Sequence, residues 1–305
     1  MTVYRQSTIK ENLEVRAEVL RAVRDFFHKE GYLEVETPMR IPAPAPEEHV
    51  NAPESGEWFL HTSPELCMKR LLAAGFTKVY QICHCFRSGE RGRRHLPEMT
   101  LLEWYTANAD YREMMEQCER LIRHVVNRSG WERLQYRGEI IDLAGPWERL
   151  PVAVAFERYG SLPVERALSV GRFDEILGLE IEPALGRGRP VFLYDYPASH
   201  GALARRKASD PGLTERFELY ICGLELCNAF SELCDPDEQR ARFVQETAQR
   251  AAAGKTGYPM PEKFLASLKD MPAAAGNALG IYRLVMLVSD SAKIDDVVTF
   301  VPEEL

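Results

Sequence analysis

Apolar residues in the first part of the chain switch between helical and strand spacing. An amphipathic helix ending at Gly31 is predicted by apolar side chains at steps of three and four residues: Leu13, Ala17, Leu20, Val23 and Phe27. Residues 32–36 alternate as a strand, and the proline-rich residues 41–46 predict an extended loop. A short helix is predicted over 66–74, because Thr62, Ser63 and Pro64 form a typical helix start.

A predicted hairpin follows, with strands at 78–87 and 98–105 joined by a basic, glycine-containing loop. Strand alternation separates an apolar face from the other face. The apolar face carries Tyr80, Ile82, His84 and Phe86, and the other carries Gln81, Cys83, Cys85 and Arg87, with Met99, Leu101, Glu103 and Tyr105 sharing one face of the return strand. Ionised groups are costly to bury without partners, so this second face is either solvated or part of a binding site.

The rest of the chain predicts an α+β fold on an antiparallel sheet flanked by helices. A helix is predicted over 111–126, closed by Gly130, and residues 131–190 give no clear pattern. Strands are predicted at 191–196, 215–222, 224–232 and 296–301, with helices at 237–254 and 284–288. Hairpin-linked strands with helices between them favour an antiparallel sheet over a doubly wound one. No linker is visible, so residues 1–305 are predicted to form a single domain.

Composition narrows the class of protein. Apolar residues make up 45% and charged residues 28% of the chain, which is typical of a globular protein. The formal charge of −8 argues against a general nucleic-acid binder. No long apolar run or signal peptide is visible, which predicts a cytoplasmic protein without a membrane span. The seven cysteines include no CxxC pair, and Cys83 and Cys85 are too close for ordinary zinc spacing, so all are interpreted as reduced thiols.

Two further clusters suggest a bound polyphosphate. Carboxylates interrupt apolar strands at Glu218, Glu225 and Glu232, where they could bind a cation or pair with arginine. Residues 276–283 combine glycines, which permit close approach of a ligand, with Arg283. Arginines at two places, Arg87 and Arg283, together with a carboxylate pair, predict a polyphosphate bound with divalent ions.

Three segments resemble the three motifs of the class II aminoacyl-tRNA synthetases, in the right order. Residues 26–38 resemble motif 1, the helix and strand of the dimer interface, residues 86–105 resemble motif 2, and residues 280–286 resemble motif 3. Residues 62–65, 102–105 and 228–232 are similar to patterns of the lysine group. The resemblance implies the catalytic domain of that class, ATP and Mg²⁺ as cofactors, and a homodimer formed through motif 1.

The chain is also similar to the elongation factor P lysine ligases, which attach (R)-β-lysine to a lysine of that factor through an adenylate. It starts immediately before motif 1, so no N-terminal anticodon-binding barrel is expected. Ala278 stands where the synthetases have glycine, and in the ligases this alanine shapes the pocket for β-lysine. The resemblance therefore implies an ATP-dependent ligase acting on elongation factor P, with β-lysine or lysine as the small substrate.

The resemblance also implies roles at the phosphates. Arg87 would contact the α-phosphate and the substrate carboxylate, and Arg283 the γ-phosphate, as the two catalytic residues. His95 would lie beside the departing pyrophosphate, and Glu218 and Glu225 would hold Mg²⁺. The remaining ATP-binding residues implied are Glu90, Met99, Leu226 and Gly280.

The substrate pocket implied by the resemblance is acidic. Glu65 would face the backbone-like amine of the substrate. The terminal ammonium would be surrounded by Glu103, Tyr105, Asn228 and Glu232, and the pocket would also include Ser63 and Ala278. A buried ammonium needs hydrogen-bonding carboxylates to offset its desolvation, which fits a substrate with two ammonium groups.

Three other functions stay open at this stage. A tRNA-charging enzyme could use Arg91, Arg93 and Arg94 to bind an acceptor stem, although tRNA binding is not the favoured interpretation. A small-molecule amide ligase is disfavoured by the predicted ammonium pocket. A non-catalytic paralogue is disfavoured because the charged set of Arg87, Glu218, Glu225 and Arg283 is complete.

Overall fold

The computed structural model describes residues 4–128, 134–201 and 203–305. Ten α-helices occur in these ranges: α1 (Arg5–Thr8), α2 (Lys10–Lys29), α3 (Glu65–Ala73), α4 (Tyr111–Arg128), α5 (Val152–Tyr159), α6 (Val164–Ser169), α7 (Phe173–Ile176), α8 (Pro236–Ala252), α9 (Glu262–Ser267) and α10 (Ile281–Val288). The predicted helices near residues 10–30, 66–74, 111–126, 237–254 and 284–288 are thereby confirmed, with shifted ends. Gly130, the predicted end of α4, lies outside the described residues.

The same ranges contain 14 strands, most of them close to the predicted positions. They are β1 (Leu33–Glu34), β2 (Arg40–Ile41), β3 (Glu54–Ser55), β4 (Trp58–Leu60), β5 (Lys78–Phe86), β6 (Glu98–Ala107), β7 (Leu134–Tyr136), β8 (Glu139–Ile141), β9 (Glu148–Pro151), β10 (Val191–Pro197), β11 (Arg206–Lys207), β12 (Asp210–Ile221), β13 (Leu224–Ser231) and β14 (Ala274–Gly280). The segment 131–190, which had no clear sequence pattern, contributes β7–β9 and α5–α7 within its described part.

One sheet of nine strands organises the molecule. Its order is β1-β5-β6-β14-β13-β12-β10-β9, and β11 pairs with β12. The inner pairs are antiparallel, whereas β1 runs parallel to β5 and β9 runs parallel to β10. The α+β class is therefore confirmed, and the sheet is mixed rather than wholly antiparallel because its two outermost pairs are reached by longer connections.

The two faces of this sheet have different roles. The main core lies on one face, where α2, α4 and α10 pack against the apolar side of the strands. Phe27 of α2 stacks on Tyr80 of β5 at 4.5 Å between ring centroids, so the predicted helix stripe and strand face meet. The opposite face is only partly covered, with α3, α8 and α9 packing at one end. Its central part is left for polar side chains.

The predicted final strand at 296–301 is wrong. Residues Ile294–Val297 form a 3₁₀ turn, and another covers Pro302–Glu304. The backbone carbonyls that a strand would pair are taken by side chains from the N-terminal helices. The Arg5 guanidinium donates to the carbonyl oxygens of Asp295 at 2.6 Å and Thr299 at 2.8 Å. This segment is thereby held against α1 and α2 instead of joining the sheet.

Candidate functional site

A row of directly opposed residues crosses five strands on the open face of the sheet. Gln81 in β5 pairs with Glu103 in β6, and Glu103 pairs with Ala278 in β14. Ala278 in turn pairs with Asn228 in β13, which pairs with Glu218 in β12. Because paired residues of neighbouring strands point to the same face, the register alone aligns side chains that are up to 197 positions apart in the sequence, from Gln81 to Ala278. The sheet is thus the scaffold of the candidate site.

A cavity of about 200 Å³ lies beside this row and brings together most of the residues predicted to bind ATP. Its lining includes Arg87, Glu90, His95, Met99, Glu225, Leu226, Asn228, Ala278, Gly280 and Arg283. These residues come from the loop between β5 and β6 and from β6, β13, β14 and α10. Arg94 also lines the cavity, and three guanidinium groups in one cavity favour an anionic ligand such as a polyphosphate.

Arg283 already has protein partners in this cavity. Its guanidinium donates to the backbone carbonyl of Glu225 at 2.9 Å and to the Glu225 carboxylate at 3.0 Å. It also lies 2.6 Å from Nε2 of His95, and burial together with the charge of Arg283 lowers the pKa of His95. His95 is therefore favoured in its neutral form. Arg87 differs, since its closest acidic partner, Glu90, is 3.8 Å away.

Five of the seven predicted substrate residues, together with Lys69, form a second cluster, which we call the carboxylate pocket: Ser63, Glu65, Lys69, Glu103, Tyr105 and Glu232. The other two, Asn228 and Ala278, line the arginine-lined cavity. Ser63 donates to one oxygen of Glu103 at 2.6 Å, and the Tyr105 hydroxyl donates to the other at 3.1 Å. Glu103, Tyr105 and Glu232 are all buried. The structure thus brings together residues of α3 and β6, Ser63 just before α3 and Glu232 just after β13, which the resemblance had assigned to one substrate.

Lys69 is a member of this pocket that the sequence analysis did not identify. Its side chain is wholly buried, and Nζ lies 2.5 Å from carboxylate oxygens of both Glu65 and Glu232. Burial alone would favour the neutral amine, but these two carboxylates raise the pKa of Lys69. The signal in the sequence that could have identified Lys69 is its spacing of four residues from Glu65 on a predicted helix, which makes the two side chains neighbours.

Glu232 is the least satisfied acid of the pocket. Neither of its carboxylate oxygens has a hydrogen-bond partner among the described residues, although Lys69 is close enough for an ion pair. Burial raises the pKa of Glu232 to about 8 despite the opposing effect of Lys69. Burial and the charge of Glu65 also raise the pKa of Glu103 well above its usual range. A buried carboxylate that shares the Lys69 ammonium with Glu65 favours the binding of an additional cation.

Gly276 keeps space open next to this acid. A Cβ at position 276 would lie 2.3 Å from the Tyr105 ring and 2.4 Å from a carboxylate oxygen of Glu232. Both distances are below any normal contact, so only glycine leaves both side chains in place. Gly276, the first residue of the segment 276–283 in which glycines were predicted to permit close approach of a ligand, therefore serves the carboxylate pocket.

Glu218 lies in a cavity of about 220 Å³ next to the arginine-lined one, and the two cavities share Glu225. The Glu218 carboxylate accepts hydrogen bonds from Arg216 at 2.7 Å and from the hydroxyls of Tyr196 and Tyr220 at 2.6 Å each. Arg216 also donates to the Asn228 side chain at 3.1 Å, so it connects Glu218 to the row across the sheet. Sequence analysis did not assign Arg216 a role.

Two further carboxylates in this cavity, those of Asp174 and Glu182, indicate a place for a cation. Glu182 comes from the segment without a clear sequence pattern, and it lines the cavity with Glu218 and Glu225. Burial and the charges of Glu218 and Glu225 raise the pKa of Glu182 to about 7. The Arg283 guanidinium keeps the pKa of Glu225 below its usual range despite burial. Converging carboxylates that repel one another in this way fit a divalent ion with oxygen ligands.

Comparisons with known proteins agree with the resemblance found in the sequence. The family model described as tRNA synthetases class II (D, K and N) matches residues 1–304. The chain is 40% identical to "Lysine–tRNA ligase" of Pelotomaculum thermopropionicum, over 96% of this chain and 63% of that relative. The chain thus spans less than two thirds of the length of this lysine–tRNA ligase.

Other relatives match over nearly their whole length. The chain is 37% identical to "Elongation factor P–(R)-beta-lysine ligase" of Pectobacterium atrosepticum, over 98% of this chain and 97% of that relative. A protein of the same name from Hamiltonella defensa is also 37% identical, over 95% of this chain and 94% of that relative. Among the residues that the structure describes, no helix has the length and apolar character needed to cross a membrane.

Proposed function

Because the chain belongs to the class II tRNA synthetase family (D, K and N), we propose that it uses ATP to activate a lysine-type diamino acid as an adenylate. The observation that carries this proposal is the carboxylate pocket next to an arginine-lined cavity on one sheet face. The arginines suit the triphosphate, and the buried acids suit the ammonium groups of the substrate.

Charge balance supports a substrate with two ammonium groups. The pocket contains the carboxylates of Glu65, Glu103 and Glu232, and Lys69 provides one positive charge. Burial raises the pKa of Glu103 and of Glu232 in the free protein, and the two ammonium groups of a substrate would stabilise the ionised form of both acids. A neutral amino acid would leave buried carboxylates unpaired, which costs on the order of 3–5 kcal/mol per broken pair. The pocket therefore selects against neutral amino acids of similar size.

In the activation step, an oxygen of the substrate carboxylate forms a bond to the α-phosphorus of ATP, and the bond from that phosphorus to the pyrophosphate oxygen breaks. Arg87 would bind both the α-phosphate and the attacking carboxylate, while Arg283 and His95 would bind the outer phosphates. Positioning and charge stabilisation can supply most of the acceleration, so no general base is required. Met99, Leu226 and Gly280 would form the walls against the nucleotide base and sugar.

The carboxylates of Glu218 and Glu225 are proposed to hold Mg²⁺, with Glu182 as a third acid nearby. Mg²⁺ bound there would neutralise part of the phosphate charge. In the protein without a ligand, the Glu225 carboxylate accepts a hydrogen bond from Arg283. The Glu218 carboxylate accepts hydrogen bonds from Arg216 and from two tyrosine hydroxyls. Binding of a nucleotide would therefore be accompanied by exchange of these internal partners for ligand atoms.

We further propose elongation factor P as the acceptor and (R)-β-lysine as the preferred substrate. In the transfer step, an acceptor lysine amine attacks the carbonyl carbon of the adenylate, AMP leaves, and the amine loses a proton. Ala278 supports this choice, because its methyl group lies between Glu103 and Asn228 in the row where the synthetases have glycine. The relatives matched over nearly their whole length carry the corresponding name.

A homodimer formed by α2 and β1 is part of the same proposal. β1 is an edge strand of the main sheet, and Leu33 within it is 50% exposed. Met39, which follows β1 in the chain, is also exposed. An exposed apolar edge strand is a natural surface for a second copy. Light scattering should give twice the chain mass, and Leu33→Lys should give the mass of one chain.

The second candidate function is charging of tRNA, favoured by the 40% identity to a lysine–tRNA ligase. Two of the three loop arginines proposed for RNA contact are bound within the protein. Arg91 pairs with Asp295 at 3.0 Å and Glu303 at 2.8 Å, and Arg94 donates to the carbonyl of Gly223 at 2.9 Å. These contacts support the protein acceptor over the RNA acceptor.

We propose a cytoplasmic location, because the seven cysteines are free thiols and thiols stay reduced in that compartment.

Parallel assays distinguish these functions. Pyrophosphate exchange is measured with α-lysine and (R)-β-lysine, followed by transfer to elongation factor P and to tRNA under the same conditions. We expect exchange with a preference for the β-isomer and transfer to the protein only. Adenylate formation without labelling of elongation factor P would refute the acceptor, and no exchange with either isomer would refute the activity.

Ala278→Gly should shift the substrate preference toward α-lysine. Ala273→Gly, at an exposed position, is the matched control.

A further inference from the structure

Three buried side chains outside the proposed chemistry converge on one point: His61, Cys83 and Cys85. Their potential ligand atoms all lie within 4.8 Å of one another. His61 is 1% exposed, Cys83 is 9% exposed and Cys85 is fully buried. We propose that these three side chains form a binding site for a soft transition-metal ion, Zn²⁺ or Cu⁺.

The spacing of the atoms fits metal coordination. Sγ of Cys83 lies 3.8 Å from Sγ of Cys85, and Sγ of Cys85 lies 3.8 Å from Nε2 of His61. In a tetrahedral site with Zn–S bonds of about 2.3 Å, two sulfur ligands are separated by about 3.8 Å. The side chains could therefore coordinate an ion with little movement. Thiolate and imidazole are the ligand types that Zn²⁺ and Cu⁺ prefer.

The sequence concealed this arrangement because the third ligand is distant along the chain. Cys83 and Cys85 are two residues apart, which excludes ordinary zinc spacing for the pair alone. In β5 this separation places both thiols on the same face of the strand. His61, which follows β4, is brought to them by the fold.

Rigid elements hold all three ligands. Both cysteines lie within the β5–β6 ladder, where Cys83 pairs with Leu101 and Cys85 pairs with Met99. The backbone of His61 donates to the carbonyl of Met39 at 2.8 Å and accepts from the amide of Phe86 at 3.0 Å. Sites built on fixed elements need little ordering when the ion binds.

One hydrogen bond describes the site before the ion enters. Nε2 of His61 is 2.7 Å from the carbonyl oxygen of His84, to which it can donate its proton. Coordination through Nε2 would replace this hydrogen bond and require the ring proton to reside on Nδ1.

The site would be distinct from the proposed Mg²⁺ site. None of the three ligands lines the arginine-lined cavity or the cavity of Glu218, in the part of the chain that the structure describes. Mg²⁺ prefers oxygen ligands and would not compete for thiolates. Three protein ligands leave one tetrahedral position for water or another small ligand.

Metal binding by the reduced full-length chain tests the proposal. The protein is stripped with a chelator and titrated with Zn²⁺, with Cu⁺ under anaerobic conditions, and with Co²⁺ as a spectroscopic probe, all in excess Mg²⁺. We expect about one equivalent of Zn²⁺ or Cu⁺, and a Co²⁺ spectrum with thiolate-to-metal charge transfer. The two titrations show which ion the site prefers.

Variants locate the site. Cys83→Ser and Cys85→Ser should each weaken binding at least about 100-fold, and His61→Leu should also weaken it. Cys67→Ser is the matched control, since it removes a thiol from α3 and should leave binding unchanged. Circular dichroism of the metal-free variants checks that they are folded.

Three results would overturn the proposal. These are the absence of stoichiometric uptake of both Zn²⁺ and Cu⁺, uptake that persists in both cysteine variants, and equal loss in Cys67→Ser. If a cysteine variant does not fold, the Co²⁺ spectrum of the wild-type protein still decides, because it reports directly whether thiolates bind the metal. Lack of charge transfer in that spectrum would count against the site.

Discussion

The arginine-lined cavity and the carboxylate pocket lie side by side on one sheet face, yet they hold their charges in different ways. In the cavity, Arg283 is paired with Glu225 and contacts His95. In the pocket, Glu232 is buried with no hydrogen-bond partner among the described residues. In the cavity, a ligand must separate existing pairs of opposite charge. In the pocket, acidic groups outnumber cations, and a cationic ligand can pair with them.

This difference has consequences for energy and for selectivity. Partly exposed ion pairs contribute little to stability, so exchanging them for phosphate contacts costs little. Buried unpaired carboxylates are expensive, and a cation that fills the pocket gains the most there. We therefore expect the cavity to determine the rate of activation and the pocket to determine which amino acid is bound.

The largest effect is expected from Arg87, the less constrained of the two arginines. Its Nε has no hydrogen-bond partner among the described residues, so it is available for the ligand. Arg87→Ala should reduce pyrophosphate exchange about 10³–10⁵-fold, by analogy with arginines that stabilise phosphoryl transfer. The melting temperature should barely change, because few internal contacts are lost. Arg93→Ala, in the same loop, is the control, and exchange within about tenfold of wild type in Arg87→Ala would contradict the assignment.

Lys69 tests the balance of charge within the pocket. Lys69→Met removes the cation that lies 2.5 Å from both Glu65 and Glu232, so the free protein should lose roughly 3–5 kcal/mol of stability at neutral pH. The measurement is denaturant unfolding. Lys69→Met combined with Glu232→Gln should be more stable than Lys69→Met alone, because one unpaired charge is removed. If the double variant loses as much unfolding free energy as the two single variants together, Lys69 and Glu232 are not coupled.

Glu232 tests selectivity directly. Glu232→Gln leaves the pocket its shape but removes the charge that would pair with the substrate ammonium. We expect KM for the diamino acid to rise about 10²–10³-fold, with a smaller effect on kcat, from pyrophosphate exchange at varied substrate. Glu98→Gln, at an exposed position on the same strand as Glu103, is the control. An unchanged KM would remove Glu232 from the substrate pocket.

The sequence predicted the arginine-lined cavity better than it predicted the pocket. The motif-like segments around Arg87 and Arg283 each contain the charged residues that line the cavity, and strand alternation placed Arg87 on the polar face of the hairpin. The pocket depends on long-range register: Tyr105 and Glu232 meet only across Gly276 on the strand between them. Local patterns cannot show such a relation, although the resemblance named its members.

The residues that were missed show the same limit. Lys69 was visible only as a lysine on a short helix, and its burial between two acids follows from tertiary packing. Glu182 lies in a segment without periodicity, so nothing local connected it to Glu218. The wrong strand at 296–301 has a similar cause, since its carbonyls are bound by Arg5 from the other end of the chain.

The smallest expected effect is a proton that should leave the pocket when the substrate binds. Because the pKa of Glu232 is raised to about 8, this carboxyl is mostly protonated in the free protein at pH 7. The substrate ammonium, whose own pKa is about 10, stays charged and favours the ionised carboxylate, so binding at pH 7 should release up to about one proton. Affinity should accordingly increase as the pH rises from 6 toward 8.

Calorimetry in buffers of different ionisation enthalpy measures this proton. The release should become small above the raised pKa of about 8, where Glu232 is already ionised in the free protein. Glu232→Gln should lose it at every pH, while Arg87→Ala should retain it, because Arg87 belongs to the cavity and not to the pocket. Release that is the same in wild type and Glu232→Gln would assign the proton to another group, and Glu103, whose pKa is also raised, is the next candidate. The comparison of the two regions would then hold with a different acid as the centre of the pocket.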